Sequence, residues 1–68
     1  MTQPNPIGLV GRVVTPIGER DPGEVVVPLG GGTETFIATS ADRQPIPRDA
    51  RVIVEDYLPP RRVVVLAY

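Results

Sequence analysis

The amino-acid sequence predicts a small all-β barrel. Five runs, 9–15, 24–27, 33–40, 51–57 and 61–68, have the length of strands and are rich in valine and other β-branched residues. Glycine and proline punctuate the gaps between them, and no stretch is left for a helix of ordinary length. The chain has only 68 residues and no cysteine, so no disulfide can staple it. A sheet that closes on itself, stiffened by nine prolines, is a way for so short a chain to hold a core.

The elements follow in order. Residues 1–6 read as a flexible tail, because Pro4 and Pro6 deny backbone donors to any strand, and the barrel domain is expected over 7–68. The first strand contains Gly11, which signals a kink or a close backbone approach. Pro22-Gly23 then marks a turn. Val25, Val26 and Val27 make the second strand, with Pro28 expected to stop it, and Gly30-Gly31-Gly32 reads as a flexible hairpin connection. In the third strand Phe36, Ala38 and Ser40 fall on one face and Thr35, Ile37 and Thr39 on the other. The connection 41–50 is long enough for one helical turn, and Ile46, between Pro45 and Pro47, is placed to plug a barrel end. Val52 and Val54 alternate against Arg51, Ile53 and Glu55 in the fourth strand. Pro59-Pro60 ends it, and the fifth follows. The expected core is Val13, Val25, Val27, Phe36, Ala38, Ile46, Val52, Val54, Val63 and Val65.

The second and fifth strands are apolar on both faces, whereas a sheet wetted on one side alternates cleanly. Val26, Ile53, Val64 and Leu66 therefore point away from the expected core. Either loops cover them, or they form an association surface for a partner protein or a second copy of the chain.

Composition excludes more chemistry than it suggests. Without His or Cys there is no ordinary zinc site and no His-activated nucleophile, so Ser40 and the threonines have no base. Glu55 and Asp56 are adjacent on a strand and point to opposite faces, so they cannot converge on one reacting atom. Gly30-Gly31-Gly32 is no phosphate loop, since no lysine and no helix follow it. No catalytic, cofactor-binding or metal-binding residue is assigned, and no enzymatic role is expected. Arg48, Arg51, Arg61 and Arg62 are candidates for contacting an anion or an acidic partner, against the plainer role of charge that guards an edge strand. A net charge of −1 disfavours nucleic acid, a polyanion. Single-stranded nucleic-acid binding stays the alternative reading, weakened because the second and third strands offer Phe36 as their one aromatic. No apolar run approaches the ~20 residues that span a bilayer, and 1–6 lack the pattern of a signal peptide, so this stretch is expected to be soluble.

The order of the runs resembles the C-terminal domain of the NfeD family. Gly8-Leu9-Val10-Gly11-Arg12-Val13-Val14-Thr15-Pro16-Ile17 is similar to the family's opening strand, and Gly23-Glu24-Val25-Val26-Val27 to its glycine-led second strand. Ala38-Thr39-Ser40, Ile46-Pro47-Arg48-Asp49-Ala50-Arg51-Val52-Ile53-Val54 and Val63-Val64-Val65-Leu66 continue the match. One position departs: Asp49 stands where a glycine is usual, and Asp tolerates a tight turn better than most residues. The resemblance implies a five-stranded OB-fold-like barrel. It also implies a non-catalytic interaction module serving a membrane-associated, stomatin- or flotillin-like partner, with a cytoplasmic or membrane-associated location. Family members are typically membrane-anchored and some carry a serine-protease domain; the residues here match neither of those regions.

Overall fold

A computed structural model describes residues 5–68. Five strands, β1 (Val10–Thr15), β2 (Gly23–Leu29), β3 (Gly32–Ser40), β4 (Arg51–Leu58) and β5 (Arg62–Ala67), form a closed barrel in the order β1-β2-β3-β5-β4. No helix occurs among the described residues, and the 41–50 connection makes turns instead of a helical one. The pairings are antiparallel except β3 with β5, where Ile37 lies opposite Arg62 and Ser40 opposite Val65. This is the five-stranded OB-type barrel, a closed sheet with short protected edges.

Alternation explains the core. Every residue of the expected core is buried, and one more joins them: Ile17, 2% exposed. Ile17 and Ile46 exchange both backbone hydrogen bonds, Ile17 N–H to the Ile46 carbonyl at 3.0 Å and Ile46 N–H to the Ile17 carbonyl at 2.8 Å. Two connecting segments are thus tied across the barrel end that Ile46 plugs. Asp49, next in that connection, adopts φ 72°, a left-handed conformation in which glycine or Asp costs least.

Three local features differ from the sequence expectation. β2 does not stop at Pro28 but continues to Leu29, with Pro28 opposite Thr33 and Leu29 opposite Gly32. Proline is tolerated there because β1 pairs with β2 only along Arg12–Thr15, leaving Pro28 at a free edge. The glycine run is a tight turn: Gly30 and Gly31 have φ 63° and 87°, the double positive φ of a two-residue hairpin, while Gly32 belongs to β3. Finally, a bulge between Val54 and Asp56 leaves Glu55 unpaired and reverses the alternation of β4. Tyr57 therefore turns toward the core and meets Phe36 edge to face, centroids 5.9 Å apart at 87°.

The tail expected over 1–6 lies mostly outside the described residues. Asn5 is exposed, whereas Pro6 is buried and its carbonyl accepts from Leu9 N–H at 3.0 Å, so the expected tail does not extend through Pro6.

Candidate functional site

The interior is filled by aliphatic side chains and Phe36, and no polar or charged residue among those described is buried. Across three strands Val10, Ile53 and Leu66 stand opposite one another in register, Val10 to Ile53 and Ile53 to Leu66. Val64 lies two positions along β5 from Leu66. All four are partly buried, as low ridges on a sheet surface are. Val26 is separate: it sits on β2 opposite Arg12 and lines a shallow groove with Val10, Gly11, Arg12, Pro28, Thr33 and Arg51. Of the sequence candidates, Ile53, Val64 and Leu66 are thus brought together, and Val26 stands across β1 from them.

Two more exposed apolar side chains join this wall. Ile37 of β3 and Leu58 of β4, 39% and 51% exposed, are both opposite Arg62 of β5. Alternation could have found Ile37. Leu58 depends on the bulge, and Val10 on knowing that β4 lies beside β1.

The candidate arginines divide between two ends. Arg51 opens β4, with exposed Arg48 in the connection before it. Arg61 and Arg62 lie at the far end of β4, where Arg62 pairs with Leu58. Arg61 Nη1 donates to the Thr35 carbonyl at 3.4 Å, a weak contact that ties it to β3. Arg51 has a different neighbour, Arg12, directly opposite on β1.

The carboxylates are dispersed. Glu24 accepts from Thr15 Oγ1 at 2.8 Å, and Asp56 accepts from Tyr57 N–H at 2.8 Å. Asp42 accepts from Ser40 Oγ at 2.9 Å and from Gln44 N–H at 3.2 Å, and these bonds, Ser40's first, hold its carboxyl below the usual value. Among the described residues no three His, Cys, Asp or Glu side chains converge as metal ligands would. The β2–β3 surface presents no aromatic ring to a base, because Phe36 is 4% exposed beneath it. No helix of the described residues is long and apolar enough to cross a membrane.

This architecture has counterparts among known proteins. The soluble domain of the NfeD protein YuaF from Bacillus subtilis superposes with a TM-score of 0.80 at 34% identity, covering 90% of this chain and 71% of that one. The C-terminal domain of the stomatin operon partner protein 1510-C from Pyrococcus horikoshii superposes with a TM-score of 0.66 at 27% identity, covering 93% and 88%. No curated protein matches the chain. The family model for the NfeD C-terminal domain spans residues 10–66, from the first residue of β1 almost to the end of β5. The chain belongs to the NfeD C-terminal domain family.

Proposed function

We propose that this barrel is a non-catalytic docking module whose outer wall over β4 and β5 binds a membrane-associated protein of the stomatin or flotillin type. The observation that carries this reading is the apolar row Val10–Ile53–Leu66, extended by Val64. A sheet face turned to water normally alternates to polar residues there, and contiguous apolar surface marks a place where another molecule sits. The barrel interior is packed with apolar side chains, and the described carboxylates are dispersed over the surface, which supports a role for the outer wall. The name of the archaeal structure, a stomatin operon partner, supports the class of protein bound.

The test is co-sedimentation with a stomatin-like protein reconstituted in liposomes. Val64→Ser combined with Leu66→Ser abolishes association on this reading. Val64→Thr keeps the β-branched shape, so weakened association with unchanged far-UV circular dichroism separates lost docking from lost folding. Undiminished association of both variants would reject the assignment, with self-association of the chain read in the same gradients as the competing result.

A further inference from the structure

Arg12 and Arg51 occupy directly opposed positions on neighbouring strands, both exposed on the outer wall. Like charges placed so are unfavourable in a sheet, and a pair is ordinarily relieved by a nearby acid. Glu24, on the next strand, is engaged by Thr15 Oγ1, and Asp49 precedes β4 in a left-handed turn. The two arginines border the shallow groove whose other walls are Val10, Gly11, Val26, Pro28 and Thr33. Ile53, opposite Val10, continues the apolar surface beyond it.

We infer that Arg12 and Arg51 together clamp one carboxylate, an Asp or Glu side chain on a segment of the partner protein, whose flanking apolar residues cover Val10, Val26 and Ile53. An acid between two guanidiniums removes their mutual repulsion and accepts charge-assisted hydrogen bonds from both. The surrounding aliphatic groups exclude water and strengthen those bonds, the arrangement found at the centres of protein interfaces. The protein's net charge of −1 leaves such a local basic pair to select an acidic side chain within a mostly apolar contact, with no extended basic track for a polyanion. This rests on the docking role proposed above and names the chemistry at one edge of it.

The test is an NMR titration of the labelled chain with a capped dodecapeptide of alternating leucine and glutamate. A second peptide carries glutamine in place of glutamate, and oligothymidylate forms a third arm. The expected result is movement of the Arg12 and Arg51 Nε–H signals and of the Val10, Val26 and Ile53 methyls, with the glutamine peptide binding at least about tenfold more weakly. Arg51→Glu should abolish glutamate-peptide binding while leaving the melting temperature unchanged or higher, because the substitution turns an opposed like-charge pair into an opposite-charge pair. Equal binding of the two peptides, or shifts centred on Arg61 and Arg62, would overturn the inference. Tighter binding of oligothymidylate at the same residues would overturn it in favour of phosphate. The titration reads β1 and β4 with no membrane protein present, and the liposome assay reads β5. A failure of the clamp is therefore distinct from a failure of the docking role.

Discussion

Replacing Gly11 with alanine tests whether the barrel is closed as tightly as described. A Cβ on Gly11 would lie 2.6 Å from the Val26 carbonyl oxygen and 2.9 Å from Val27 Cγ2. The first distance is about 0.8 Å short of the 3.4 Å at which ordinary contact begins. Val26 cannot simply yield, because it is paired on both sides, to Arg12 and to Thr35, so its displacement carries β3 along. Overpacking of this kind costs about 2–3 kcal/mol. A single core of this size supplies roughly 3–5 kcal/mol in all, so about two-fifths of the stability or more disappears. At about 4–8 °C per kcal/mol for so small a domain, the melting temperature falls by roughly 10–20 °C. Two other glycines serve as controls. Gly32→Ala meets nothing within 4 Å and stays within about 0.5 kcal/mol of the parent or slightly above it. Gly31→Ala also meets nothing but must hold φ +87°, which costs roughly 1–2 kcal/mol through the backbone alone. Urea unfolding followed by far-UV circular dichroism, with the slope checked for constancy, ranks the three. Gly11→Ala as stable as the parent, or Gly32→Ala as damaging as Gly11→Ala, would refute the close approach of β1 and β2.

Two further predictions concern the connection between β3 and β4. Ile46→Ala opens a cavity at the plugged end and costs about 2–4 kcal/mol, while Ile46→Val costs about 1 kcal/mol; equal effects in urea unfolding would show that the plug is not close-packed. Asp42, held below its usual value by Ser40 and Gln44, contributes stability above its unfolded value, and that contribution is lost as pH falls through the lowered folded value. Carboxyl NMR should place its midpoint below 3.8, and Ser40→Ala should move it back upward.

Much of the fold was legible because the inward positions of the strands repeat every second residue. Val25 and Val27, Phe36 and Ala38, Val52 and Val54, Val63 and Val65 are all inward by that rule, and all are buried. What escaped the rule did so for physical reasons. Ile17 follows Pro16 in a connection, where no alternation exists to mark it, and it joins the core paired with Ile46 from a segment far along the chain. Tyr57 is turned inward by a bulge at Glu55 that no residue type announces. Pro28 reads as a stop, yet a strand whose neighbour has already ended accepts it. The candidate site was legible as a set of outward valines and arginines, but not as neighbours. That Val10 adjoins Ile53, or that Arg12 faces Arg51, follows from the β1–β4 pairing that closes the barrel, and a strand order of 1-2-3-5-4 is not written in the local pattern.

The position of β5 between β3 and β4 governs how the domain is made. A nascent chain that has emerged only through Leu58 can form the β2–β3 hairpin and lay β4 on β1, yet it presents two raw sheet borders with nothing between them. Those borders, flanked by Ile37 and Ile53, are templates for adhesion to any neighbouring polypeptide until synthesis reaches Ala67. β5 acts as a keystone, seated between the two borders and closing the barrel.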